Sequence, residues 1–394
     1  VTDLSWIINH LGEERDRYFD AVIPPIVQSA IFAHPDIATM RLRLADEFNA
    51  HVYTRGQNPT VEIVAKKIAA LEGAQRALMF GSGAAAIAAG VLANVRSGDE
   101  VVCVDKPYFW TGQLVRKLLP QFGMRGVFVD ARDVAAVEAA ITPATRMIVL
   151  ESPNSLTFEQ HDLAAIAAIA KTKGIVTLVD NSYATPLGQS PIALGIDLVA
   201  HSATKYLNGH GDVVAGALCG SDAAMRKVFD GPYMTLGAIL SPFDAWLLLR
   251  GLRTLPVRLE RIAATTARVL EYLADHPQVR RIHAPVAQHS AQPALSAAQL
   301  HHASGLFSIE LDAHDIAAID RFCNALRRFL MAASWGGYES LVFPVAGVRD
   351  WGSLNAAASV PIRLVRFSIG LEAADVLIAD LERGFAALAA STVR

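Results

Sequence analysis

Ser202-Ala203-Thr204-Lys205-Tyr206 stands between an apolar, strand-like run at 196–200 and a glycine-rich stretch at 209–216. Two hydroxyls and a lysine at a strand end suit a phosphorylated aldehyde, because the amine condenses with the aldehyde while the hydroxyls bond the phosphate. A lone lysine is more often a solvated surface charge, so the pentapeptide needs company. Upstream, Val176-Thr177-Leu178-Val179-Asp180-Asn181 reads as a buried strand ending in a carboxylate. Such a carboxylate keeps a pyridine nitrogen protonated and the ring an electron sink. Further up, Gly81-Ser82-Gly83-Ala84 lies between a strand-like run at 76–80 and an alanine-rich helix. Glycines there let backbone amides approach a phosphate at a helix N-terminus.

The surrounding pattern places these three pieces in one fold. Strand-like runs at 77–80, 100–104, 127–129, 147–150, 176–179 and 198–200 alternate with helical stretches, such as 163–171 closed by Gly174. The pattern predicts a parallel sheet with crossover helices, and such sheets bind ligands at the carboxyl ends of their strands. Gly83, Tyr108, Ser155, Asp180 and Lys205 all fall just after predicted strands.

Three regions are expected. Residues 1–57 read as an irregular arm with Pro24-Pro25 at an extended entry. Residues 58–254 form the large α/β domain, opened by Asn58 and Pro59 as cap and first turn of a helix that Gly73 stops. Residues 255–394 form a smaller C-terminal α/β domain: a long helix with Val257, Ile262, Val269 and Leu270, a loop at 287–299, a strand at 305–311 and a helix at 316–330.

Bulk composition narrows the class. The chain has 394 residues, 52% hydrophobic and 19% charged, which describes a folded protein with a large core. A formal net charge of -3 leaves no basic footprint for nucleic acid. Cys103, Cys219 and Cys323 are too far apart for a CxxC site and odd in number, so neither disulfides nor a metal site is expected. The twelve histidines show no zinc spacing. Residues 1–10 carry Asp3 and no basic leader, and no long apolar run reads as a membrane span. The expectation is a cytoplasmic protein.

The combined motifs resemble the Cys/Met-metabolism family of pyridoxal-phosphate enzymes, over about residues 23–388. That resemblance implies the fold type I, PLP-dependent transferase-like architecture. It implies pyridoxal 5'-phosphate held by Gly83, Ala84, Tyr108, Asp180, Ser202, Thr204 and Lys205. In the family, the stretch matching Val52-Tyr53-Thr54-Arg55-Gly56-Gln57-Asn58-Pro59-Thr60 reaches a neighbouring copy's cofactor phosphate, here through Tyr53 and Arg55. The arrangement implies at least a dimer, and the family is commonly a tetramer. The family asparagine that bonds the cofactor's phenolic oxygen aligns with Ser155, and adjacent Asn154 is a candidate to replace it. Tyr108 takes the place of a stacking tyrosine, although Phe109 and Trp110 depart from the usual following glycine. Ser334, Trp335 and Arg366 are expected to bind an amino-acid substrate, with Arg366 clamping its carboxylate.

In this reading Lys205 removes the α proton, and Tyr53 or Tyr108 deprotonates the substrate amine with a phenol tuned by cationic neighbours. The stretches from Glu151 through Asp162 and from Ser334 to Leu341 resemble bacterial cystathionine β-lyase, which implies α,β-elimination. The Tyr53 and Lys205 stretches look instead like members acting at the γ carbon, such as cystathionine γ-synthase and methionine γ-lyase, so γ-elimination or γ-replacement is the alternative. A more remote one comes from Gly81 to Ala86, which also fits a dinucleotide-binding fingerprint, with Asp105 further on.

Overall fold

The computed structural model describes residues 3–286, 288–302, 304–348 and 360–389. Seven strands form the first sheet: β1 (Arg76–Phe80), β2 (Glu100–Val104), β3 (Arg125–Val129), β4 (Thr145–Glu151), β5 (Val176–Asp180), β6 (Leu198–His201) and β7 (Gly216–Gly220). Their order is β1-β7-β6-β5-β4-β2-β3. β2 through β6 run parallel, while β7 lies antiparallel to both of its neighbours. The central strands are continuous apolar runs because helices cover both faces of the sheet; every residue of β2 is buried.

The sequence reading missed β7. Gly216-Ala217-Leu218-Cys219-Gly220 looks like turn material, since glycine interrupts strand patterns. Packing explains the small residues: a Cβ on Gly216 would overlap the Ser82 carbonyl at the start of the helix Gly83–Leu92, which follows β1.

The helix boundaries follow local chemistry. Asn58 Oδ1 accepts the Thr60 N–H at 2.9 Å, Pro59 starts the helix Pro59–Glu72, and Gly73 ends it with φ +70°. Asp162 caps Leu163–Thr172 through the Ala165 N–H at 2.9 Å, and Ser241 caps Pro242–Arg253 through the Asp244 N–H at 3.0 Å. The long helix Leu255–Ala274 buries Ile262, Val269 and Leu270. Val257 falls off that stripe and is exposed.

A second sheet holds β8 (Val279–His283), β9 (Leu306–Leu311), β10 (Leu330–Met331), β11 (Leu341–Pro344) and β12 (Leu364–Ser368), in the order β10-β11-β12-β9-β8. The helices Ile316–Ala325 and Ala374–Ala389 pack together there, with Phe322 against Phe385 at 5.0 Å and edge-on to Phe367 of β12. Two expectations need correcting. The helix predicted to reach 330 stops at Ala325, because Asp380 captures the N–H groups of Arg327, Arg328 and Phe329. The stretch read as a loop at 287–299 contains the helix Pro293–Gln299, held when Gln299 accepts the Leu163 N–H and donates to His161 O, both at 2.9 Å.

The arm is less irregular than expected, with short helices Leu4–Asn9 and Ile37–Ala45. Buried Lys67 anchors it, donating to Ile7 O and Ile8 O at 2.9 Å and pairing with Glu13 at 3.1 Å. Elsewhere the arm presents Phe19, Val22, Ile31, Ile37 and Leu42 to the surface. Among the described residues no helix is long and apolar enough to cross a membrane.

Candidate active site

The carboxyl ends of β4, β5 and β6, the N-terminus of the helix Gly83–Leu92 and the turn around Ser334 enclose a cavity of about 380 Å³. Lys205 stands on the turn after β6. Its Nζ donates to Ser334 Oγ at 2.7 Å and lies 5.5 Å from the Trp335 ring centroid. Burial and the nearby Arg366 guanidinium lower the amine to about 8, against the pull of Asp180.

Asp180 ends β5 inside the same cavity. Its Oδ1 accepts the Ser182 N–H at 2.9 Å and the Ser182 hydroxyl at 2.5 Å. Burial raises its pKa although those two bonds oppose the rise. The Ser182 hydroxyl also accepts the Ser202 N–H at 2.6 Å, which ties the carboxylate to the lysine turn.

Across the cavity, Ser82 caps its helix by accepting the Ala85 N–H at 3.1 Å. That leaves the Gly83 and Ala84 amides at the open end of the helix, where the macrodipole favours an anion. Gly83 is pressed against the lysine turn: an added Cβ would lie 2.7 Å from Ser202 Cα.

The remaining predicted residues divide between pocket and scaffold. Arg366 is buried in β12, donating to Ser155 O and to Ala333 O at 3.1 Å each. Burial lowers its pKa to about 10. Trp335 lines the cavity and packs its ring against Tyr206 at 5.5 Å. Ser155 lines the cavity as well, but Asn154 does not. The Asn154 side chain is occupied within its own turn, accepting the N–H groups of Leu156, Thr157 and Phe158. Thr204 reaches the cavity, with its hydroxyl 3.1 Å from Ala215 O and accepting the Ala215 N–H at 3.0 Å.

Tyr108 lies at the pocket, partly exposed. Its phenol is pushed up by burial and by Asp180 and Glu151, opposite to the downward tuning expected from cationic neighbours. Phe109 and Trp110 begin the helix Phe109–Gln113, edge to face at 5.0 Å. Trp110 faces a separate groove beside Lys117 and Leu118 rather than the cavity. Tyr53 and Arg55 stack on each other at 5.4 Å and lie outside their own chain's cavity.

Comparison with known proteins matches residues 6–386 to the family model described as Cys/Met metabolism PLP-dependent enzyme. The chain belongs to that family. It is 38% identical to an L-methionine gamma-lyase of Pseudomonas putida over 96% of both chains. It is 34% identical to a cystathionine beta-lyase of Coxiella burnetii over 95% of both. The structure superimposes with a TM-score of 0.90, at 32% identity and 98% coverage of both chains, on a cystathionine gamma synthase of Xanthomonas oryzae pv. oryzae in complex with aminoacrylate and cysteine.

Membership makes the fold that of the type I pyridoxal-phosphate enzymes and the cofactor pyridoxal 5'-phosphate. The cavity's donor set fits the group. The helix N-terminus and its close-packed glycine suit the phosphate, and Asp180 Oδ2, free of the Ser182 bonds, suits a protonated ring nitrogen. The Lys205 amine suits the aldehyde. The glycine pattern also read as a dinucleotide fingerprint lies in this same cavity, beside that lysine and that acid.

Sequence reasoning overlooked Ser182 and Glu151. Ser182 was legible only as a hydroxyl two residues beyond Asp180. Glu151 ends β4 beside Asp180, its pairing partner in β5, and burial together with that second acid pushes it up to about 8.

Proposed function

We propose that this enzyme is a carbon–sulfur lyase that performs α,β-elimination on a sulfur amino acid such as cystathionine. The observation that supports the reading is Trp335, on the cavity wall beside the Lys205 amine, in a stretch resembling bacterial cystathionine β-lyase. Pyridoxal phosphate supplies the electron sink for charge developing at the substrate α carbon. Arg366, already oriented by Ser155 O and Ala333 O, clamps the substrate carboxylate. The Lys205 amine, lowered to about 8, takes the α proton near neutral pH. Asp180 holds the ring-nitrogen proton, and the Gly83 and Ala84 amides hold the phosphate. The β C–S bond breaks with release of a thiol, and addition of water yields pyruvate and ammonia.

The second reading is γ-elimination or γ-replacement, favoured by the 38% identity to an L-methionine gamma-lyase and by the fit to a gamma synthase. It needs a second proton removed from Cβ, also within reach of Lys205. Incubating the holoenzyme with cystathionine separates the two. Pyruvate with homocysteine supports the first reading; 2-oxobutyrate with cysteine overturns it in favour of γ-elimination.

The placement of Tyr53 and Arg55 outside their own cavity supports their service in a neighbour's site, across residues 1–57. The apolar surface of that arm supports at least a dimer, and a tetramer fits the family. The unpaired, buried cysteines support a cytoplasmic setting.

A further inference from the structure

Glu151 lines the cavity and has no part in the chemistry above. Glu151 is buried at the end of β4, and each of its two oxygens serves a different active-site loop. Oε2 accepts the N–H of Tyr108, on the loop after β2. Oε1 accepts the N–H of Ser155, on the loop after β4, at 3.1 Å. The Ser155 carbonyl then accepts Arg366 Nη1 at 3.1 Å. A single carboxyl group therefore links the loop carrying the cofactor-facing tyrosine to the peptide that aims the substrate clamp. Among the described residues Glu151 makes no ion pair, so its bonding is to these two amides rather than to a cation.

We propose that Glu151 is a positioning residue that sets the orientation of Arg366 toward the substrate carboxylate through the backbone of Ser155. The proposal rests on reading the cavity as a site for pyridoxal phosphate and an amino acid. Its physical basis is an acceptor count. Two N–H groups from separate loops converge on one side chain, and a carboxyl offers an acceptor to each. Glutamine has the same shape but one acceptor, and its NH2 would oppose one of the two N–H groups. Either that loop moves or a buried donor is left unpaired.

The test compares two small ligands on holoenzyme, followed by the cofactor's absorbance change. Glycine carries the α-carboxylate that Arg366 binds; methylamine offers an amine without it. In Glu151→Gln, glycine affinity should fall about tenfold to a hundredfold, the range for a lost hydrogen bond to a charged group, while methylamine affinity stays at the wild-type value. That split is something general loosening would not produce. Equal weakening of both ligands, or of neither, overturns the proposal. If Glu151→Gln does not fold, Glu151→Asp is used instead, because the shorter side chain cannot span both amides; the same split is expected and its absence counts the same way. Wild-type protein that shows no cofactor band would sink the underlying reading, and that result is seen before any variant is compared.

Discussion

Gly83→Ala tests the geometry that brings the phosphate cradle to the lysine. A Cβ at this position would lie 2.7 Å from Ser202 Cα, 2.8 Å from Ser202 Cβ and 3.1 Å from Ser202 N. Carbon atoms rest at about 3.5 Å or more, so the helix start and the 202–205 turn must part by roughly 0.8 Å. Two of the three crowded atoms are backbone, so no rotamer change relieves the overlap. Overpacking of this kind costs about 1–3 kcal/mol. Alanine's better helix propensity offsets at most about 1 kcal/mol, which with the full offset leaves a net loss of about 0–2 kcal/mol. The functional effect should be larger than the loss of stability, since a displacement near 1 Å between reacting groups costs about a hundredfold in rate. Urea unfolding of the cofactor-free variant, titration with pyridoxal phosphate and kcat/KM measure the three quantities. Gly347→Ala is the control, because its nearest atom is Pro344 Cγ at 3.9 Å. If Gly83→Ala matches that control in stability and cofactor affinity, the close approach is not what requires glycine here.

Three further outcomes can be measured. Only an unprotonated amine attacks an aldehyde, and Lys205 is lowered to about 8, so reconstitution with cofactor should accelerate up to that pH and level off; a rate still climbing toward 10 contradicts the lowered value. The unfolded chain binds the Lys205 proton up to about 10.5 and the folded chain only to about 8, so this lysine's contribution to cofactor-free stability should rise with pH across that window, a rise that Lys205→Met removes in pH-dependent urea unfolding. Finally, Arg55→Ala and Lys205→Ala should each be inactive, yet co-expressed they should regain activity, because a hybrid can hold one intact site; no recovery would mean that Arg55 does not serve a neighbour's cavity.

Much of the site was legible as residue types at strand ends. Asp180 and Lys205 each follow an apolar run whose only stable place is inside a parallel sheet, and that topology sends the next residues to one edge. What the sequence could not show is which groups are already occupied by a partner. Asn154 looks available until its side chain is seen occupied by three amides of its own turn. The Thr204 hydroxyl has Ala215 O and N as neighbours, which the pentapeptide alone does not reveal. Trp110 sits two residues from Tyr108 but faces a different groove. β7 and the early end of the helix at Ala325 went unread for the same reason: Ser82 and Asp380, distant in sequence, decide them.

Local sequence alone determined the α/β alternation, the helix caps and stops, and the family to which the chain belongs, because backbone preference, burial period and short motifs are properties of neighbouring residues. Only the folded chain decided which hydroxyls and amides remain unpaired in the cavity, that the phenol of Tyr108 faces acids rather than cations, and that Glu151 joins two loops. Those are questions of hydrogen-bond occupancy and electrostatic surroundings. They depend on which groups meet in the folded chain, whether in the same turn, as for Asn154, or more distant, as for Tyr108 and Glu151.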